Sequence, residues 1–260
     1  MNWTVQTAAV ELLAAADQAR SRERLSEHWS GFDEKTAYLV QDEALRLRQA
    51  RGETLIGVKL GVTSRAKQRQ VNVSTPNVAW LTDAMPLPAG AELRSDAMIH
   101  PRVEPEIAFL LGRDLPGPGV TAATALAGVS AVYGALEIID SRFTGYTFTL
   151  ADVTADNASS GRYVLGPIAR SPAGMDLSLE ACLLEADGQV VDSATGVAVL
   201  GHPAEALAFA ANQLATRGHR LRAGWVVLTG GMTDAVPLPP GGSISARFST
   251  LGSVSVTADR

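Results

Sequence analysis

Strand-like and helix-like segments do not alternate regularly in this 260-residue chain, and that irregular order is the strongest constraint on its fold. Parallel strands need a crossover, most often a helix, between each pair, so a doubly wound sheet is disfavoured. A mixed or antiparallel sheet, curled and partly covered by helices, fits the order better. The expected class is therefore α+β.

Helical spacing dominates the first 50 residues. In AAVELLAAADQA the apolar residues recur at i, i+3 and i+4, and Asp33 stands ready to cap a second helix carrying Tyr38, Ala44 and Leu45, which Gly52 ends. The segment TLIGVKLG then changes the period to two, with Ile56, Val58 and Leu60 on one face and Gly57, Lys59 and Gly61 on the other. From about residue 80 strands and turns take over, which divides the chain into a helix-rich part, residues 1–80, and a larger β-rich part, residues 81–260. RVEPEIAFLL reads as a strand, TAATALAGVSAVYG as a helix and ALEIID as a strand. EACLLEADGQVVDSA reads as a hairpin about Asp187-Gly188. GHPAEALAFAANQLATRG is a helix with Pro203 in its first turn and Gly218 at its end, and WVVLTGG, SISARFS and SVSVTA are closing strands.

Composition removes several function classes. A net charge of −5 draws no polyphosphate, and no arginine-rich run with interleaved aromatics occurs, so nucleic acid is not an expected partner. No window holds the roughly 18 consecutive apolar residues of a membrane span. The opening residues lack the basic region and long apolar run of a signal peptide. A lone Cys182 rules out an intramolecular disulfide and a cysteine-rich metal site, and a cytoplasmic location is expected. GxGxxG, GxxxxGK[ST] and GxSxG are absent, as is any paired-histidine spacing among His28, His100, His202 and His219.

What remains is acidic. Glu104 and Glu106 lie two apart in an apolar strand and project from one face, with Val103, Pro105 and Ile107 on the other. Two like charges on such a face repel, and burying them requires a metal or a basic partner. A solvent-facing edge strand, which Pro105 suits, is the alternative. Glu137 is the only charge in AVYGALEII; it joins the same site or pairs with an arginine such as Arg142. Three carboxylates without thiols or clustered histidines suit a hard cation, Mg²⁺ or Mn²⁺. Lys59, flanked by Gly57 and Gly61, has room for a substrate beside it, or is an exposed strand lysine. The stretches IIDSR and ADNASSGR gather Asp140, Arg142, Asp156, Asn157, Ser159 and Ser160, a composition of tight turns or of ligand pockets. Cys182 falls in an apolar strand pattern and reads as core.

The runs IGVKLGVTS, PRVEPEIAF, ALEIIDSR, ADNASSGRYVLG, VLGHP and LTGG, in that order over about residues 35–256, resemble the fumarylacetoacetate hydrolase superfamily. Within it they resemble the hydratase and decarboxylase branch that processes meta-cleavage products of aromatic compounds. The resemblance implies a mixed β-roll with a smaller N-terminal domain. It also implies Mg²⁺ or Mn²⁺ on Glu104, Glu106 and Glu137, with Lys59 as the active-site lysine. LTGGMTDAVPLPPG followed by LGSVSV is similar to the decarboxylases of the branch, which act on 2-oxo-3-hexenedioate, a small dicarboxylic 2-oxo acid. NVAW, residues 77–80, departs from the branch pattern of an aromatic and a glycine. On this reading Lys59, Asp156 and Ser160 are candidates for catalysis and Asp140, Arg142 and Ser159 for substrate binding. A homo-oligomer, and a complex with a sister hydratase, are the implied assemblies. A hydratase on the same scaffold is one alternative; a catalytically silent partner subunit is another, which three acids in an apolar setting argue against.

Overall fold

The computed structural model describes residues 3–64 and 75–260. Among them are five helices, α1 (Val5–Asp17), α2 (Glu34–Ala50), α3 (Ala122–Leu126), α4 (Leu150–Ala155) and α5 (Pro203–Thr216). The first two begin where a side chain satisfies an exposed backbone donor: Thr4 Oγ1 accepts from the Thr7 N–H at 3.1 Å and Asp33 Oδ1 from the Thr36 N–H at 2.8 Å. At the start of α5, Pro203 occupies the first turn and His202 Nδ1 accepts from the Ala204 N–H at 3.0 Å, a cap with no signal in the sequence. None of the helices is long and apolar enough to cross a membrane.

Two sheets carry the rest. In the larger, the order is β2 (Asn77–Thr82), β1 (Leu55–Gly61), β9 (Val226–Leu228), β4 (Arg102–Leu111), β5 (Val129–Ile139) and β6 (Ser160–Leu165), with β10 (Val236–Pro237) also pairing β4. The smaller runs β3 (Glu92–Leu93), β12 (Gly252–Ala258), β11 (Ser243–Phe248), β7 (Ala181–Ala186) and β8 (Gln189–Thr195). Only β1–β9 and β3–β12 pair in parallel among the described strands, so the expected α+β class with a mixed, curled sheet is what forms. The hairpin at Asp187-Gly188 is present, with both residues at positive φ, 48° and 77°, as a two-residue primed turn requires.

One sequence expectation is overturned. The helix expected over residues 121–134 stops at Leu126, and β5 begins at Val129. Helical spacing there comes from alanines, whereas Val129, Val132 and Tyr133 favour a strand, and pairing with β4 from Leu111↔Val129 to Arg102↔Ile139 decides the outcome. The division expected near residue 80 falls at the end of β2, inside the larger sheet. What packs apart from that sheet is a helical core in which Ala8, Leu12 and Leu13 of α1 and Ala37, Val40 and Ala44 of α2 meet Phe143, Ala151 and Ala155 from far along the chain.

The sheets stack through the β5 face that carries Val132, Gly134, Leu136 and Ile138. A Cβ on Gly134 would lie 2.5 Å from Cδ2 of Phe248, so this glycine leaves room for the ring, and Phe248 is itself buried. The opposite face of β4 and β5 is left to carry Glu104, Glu106 and Glu137. Gly134→Val is expected to destabilise the protein by about 1–3 kcal/mol through overpacking, despite valine's preference for strands. The midpoint of urea denaturation measures it.

Candidate metal centre

Glu104 and Glu137 are direct cross-strand partners on β4 and β5, and Glu106 stands opposite Ala135. All three carboxylates therefore project from one face of neighbouring strands. Each offers an oxygen within 4.8 Å of the others, and Glu104, Glu106 and Glu137 are only 8%, 0% and 1% exposed. The edge-strand alternative fails because β4 lies between β9 and β5. Pro105 is tolerated there because its carbonyl faces the gap between β9 and β10, accepting from the Met232 N–H at 2.9 Å, so its missing donor is not needed for a ladder.

Lys59 is 3% exposed, not a surface lysine. Three strand spacings separate β1 from β5, about 14 Å in a flat sheet. Its Nζ nevertheless stands 3.1 Å from Glu137 Oε2, because the sheet curls and β9 ends short of the site. The contact is ionic and lies off hydrogen-bond geometry; Nζ donates instead to the Ala158 carbonyl at 2.9 Å. Among the described residues these three acids and one ammonium carry a formal charge of −2. Burial, and then the neighbouring Glu137, hold the Glu106 carboxyl well above the usual range, and burial raises Glu137 against the pull of Lys59.

The segment after β9 completes the cluster. Gly230, at φ +104°, donates its N–H to Glu106 Oε2 at 2.7 Å, and a Cβ there would fall 1.9 Å from Thr63 Oγ1. The LTGG run thus supplies a backbone donor at a position that has no room for a Cβ. Glu106 Oε1 and both oxygens of Glu137 have no hydrogen-bond partner. Buried carboxylate oxygens without donors, gathered with a third acid on one face, are what a hard divalent cation satisfies.

A cavity of about 450 Å³ opens beside the carboxylates, lined among others by Lys59, Asn77, Arg102, Glu104, Tyr146 and Ser159. Of the residues singled out in the sequence, Lys59, Glu104 and Ser159 reach it. Asp140, Arg142, Asp156 and Ser160 do not line it; they form a buried knot beside it. Arg142 Nε and its N–H both bond the Asp156 carboxylate, and its terminal nitrogens donate to the carbonyls of Asp140 at 2.6 Å, Ser160 at 2.9 Å and Asp156. Asp140 accepts from the N–H groups of Ile99 and His100 at 2.9 and 2.8 Å. Each side-chain nitrogen of Arg142 and each carboxylate oxygen of Asp140 thus has a partner within the protein. Arg142 also pairs with Asp156 and not with Glu137.

This knot holds an unusual turn. Asn157, Ala158 and Ser159 take φ of 50°, 49° and 57° in succession, a left-handed run that costs roughly 1–2 kcal/mol per residue. Asn157 is held on the backbone of Trp80 by two hydrogen bonds, Oδ1 at 2.8 Å and Nδ2 at 2.9 Å, and Ser159 accepts from the Asp140 N–H at 2.8 Å. The result points the Ala158 carbonyl at Lys59. Burial lifts the Asp156 carboxyl to about 6 against the attraction of Arg142.

Sequence reasoning missed Arg102 and Tyr146, and it quoted the segments NVAW and LTGG without giving Asn77 or Gly230 a role of its own. Arg102 was within reach of it, since the period that unites Glu104 and Glu106 extends one step back to residue 102. Tyr146 comes from a turn with no periodicity to reveal its direction.

Known proteins resemble this chain over most of its length. The family model for "Fumarylacetoacetate (FAA) hydrolase C-terminal" matches residues 54–258. A 4-oxalocrotonate decarboxylase of Pseudomonas sp. (strain CF600) is 42% identical over 219 residues, 84% of this chain and 83% of that protein. A 2-hydroxyhexa-2,4-dienoate hydratase of Comamonas testosteroni is 39% identical over 97% of this chain and 96% of its own. Among solved structures, the 4-oxalocrotonate decarboxylase from Pseudomonas putida G7, complexed with magnesium and adipate, superposes with a TM-score of 0.95 at 37% identity, covering 98% of this chain and 97% of that one.

Arg142→Ala is expected to cost about 3–5 kcal/mol, because it strands the buried Asp156 without a counter-charge. Chemical denaturation compared with wild type reads this directly.

Proposed function

The chain belongs to the fumarylacetoacetate hydrolase family, and from that premise we propose that it catalyses the divalent-metal-dependent decarboxylation of 2-oxo-3-hexenedioate (4-oxalocrotonate) to 2-hydroxy-2,4-pentadienoate. The observation that carries this reading is the convergence of three buried carboxylates beside a cavity that Glu104 and Lys59 line. Glu104, Glu106 and Glu137 are the residues that would hold Mg²⁺ or Mn²⁺. The decarboxylase from Pseudomonas putida G7, solved with magnesium and a six-carbon dicarboxylate, supports both the metal and the substrate class. Such a cation supplies Lewis-acid charge to the oxygens of a 2-oxo acid.

In the reaction the C5–C6 bond breaks and CO₂ leaves. The released pair forms the C4=C5 double bond, the C3=C4 pair moves to C2=C3, and the carbonyl pair ends on the C2 oxygen. That oxygen then takes a proton to give the dienol. Lys59 is the group of this chain suited to the developing negative charge: its ammonium is already fixed by Glu137 and the Ala158 carbonyl, so little reorganisation is needed. Ser159, on the cavity wall, is a candidate to position substrate oxygens. Asp140, Arg142 and Asp156 act one step removed, as positioning residues that hold the turn on which Ala158 and Ser159 sit. Ser160, whose buried hydroxyl has no partner, is given no chemical role.

A hydratase reading is favoured by one observation, the near full-length similarity to the Comamonas hydratase. Product analysis by NMR separates the two. Purified protein with Mg²⁺ is expected to release CO₂ from 2-oxo-3-hexenedioate and to stop when EDTA is added. Hydration of 2-hydroxy-2,4-pentadienoate without CO₂ release from the dicarboxylate would move the chain to the hydratases, and full turnover in EDTA would remove the metal assignment. Glu106→Gln keeps the volume and deletes a charge. It is expected to weaken metal binding and lower turnover by at least about a hundredfold, with the thermal unfolding midpoint retained.

A further inference from the structure

Arg102 is a cavity-lining cation that, among the described residues, forms no ion pair. Lys59, by contrast, is engaged by Glu137 and the Ala158 carbonyl. The Arg102 guanidinium carbon lies 4.2 Å from the centroid of the Tyr146 ring. That ring is anchored in turn, its hydroxyl sharing its one proton between the carbonyls of Ile139 at 3.0 Å and His100 at 3.2 Å. Stacking of this kind holds a guanidinium by its face and leaves its edge, where the N–H donors lie, free for a carboxylate. Arg102 and Glu104 share one face of β4, two residues apart, which is about 7 Å along the strand. An extended six-carbon chain separates its two terminal carboxylates by a similar distance.

We propose that Arg102 binds the second carboxylate of the substrate, the one remote from the 2-oxo acid head that faces Glu104, Glu106 and Glu137. This rests on the reading above that the substrate is a dicarboxylate. It also defines what the ion pair does. The remote carboxylate leaves as neutral CO₂, so its attraction to Arg102 is complete in the bound substrate and fades toward the transition state. Arg102 therefore supplies affinity and selection of dicarboxylates, and no acceleration of the bond-breaking step.

Titration calorimetry on the Mg²⁺-loaded protein, with adipate and monomethyl adipate as probes, tests this without turnover. Wild type is expected to bind adipate about ten- to a hundredfold more tightly than the monoester, the size of a charge-assisted hydrogen-bonded pair. In Arg102→Gln the two probes bind alike, at the affinity of the monoester. Equal affinity for both probes in wild type overturns the proposal without recourse to any variant. So does an unchanged preference for adipate in Arg102→Gln, and so does an equal loss of both probes. In steady-state assays Arg102→Gln is expected to raise KM about ten- to a hundredfold with kcat not reduced; a fall in kcat at unchanged KM overturns the assignment. Failure of wild type to release CO₂ would instead strike at the decarboxylase reading, while the adipate titration still reports on Arg102.

Discussion

The structure depends on like charges held together out of water. Three carboxylates and one ammonium meet on the inner face of a curled sheet, and burial denies them the solvent that would ordinarily screen them. Such a cluster is tolerable only where the surrounding fold cannot let it separate. Glu104, Glu106 and Glu137 are spaced by the β4–β5 ladder, whose registration moves only if many backbone hydrogen bonds break together. The chain thus holds electrostatic repulsion at one point by means of main-chain pairing extended over two long strands.

The parts of the molecule that look incidental follow from keeping this arrangement in place. Gly134 lets the second sheet press against the back of β5 through Phe248. The shortness of β9 leaves the front of β4 open, so that the following glycine turn can donate a backbone N–H to Glu106. Across the cavity, Arg142 and Asp156 hold a left-handed turn that no local preference would favour, and the turn's reward is a carbonyl directed at Lys59. The same knot ties the helical core to the site, since Phe143 follows Arg142 directly and α4 leads into Asp156.

Much of the centre was legible in the chain because strand periodicity is a local rule. Alternation places residues 104 and 106 on one face whatever lies elsewhere, and a single acid in an apolar run marks residue 137 as needing company. Polar residues in ADNASSGR were harder. Their composition fits turns and pockets equally, and the difference between them is which hydrogen bonds are already made. Arg142, Asp140 and Asp156 turn out to satisfy one another, whereas Ser159 faces the cavity. The helix expected over residues 121–134 failed for a related reason: alanine spacing is a weak preference, and a ten-residue partner strand outweighs it.

By itself, then, the sequence determined the elements whose signals are short in range: the capped helices at the start, the β4 strand with its paired acids, the Asp187-Gly188 hairpin and the final helix with Pro203 at its head. It also indicated the chemical type of the site, because oxygen donors without sulfur or clustered imidazole favour hard cations. Only the tertiary structure decided that Lys59 meets Glu137 across two intervening strands, that Arg142 turns inward to Asp156, and that Arg102 and Tyr146 stack at the cavity wall. Those outcomes depend on sheet order and curl, which are set by how all the strands pack at once and leave no trace in any local window of residues.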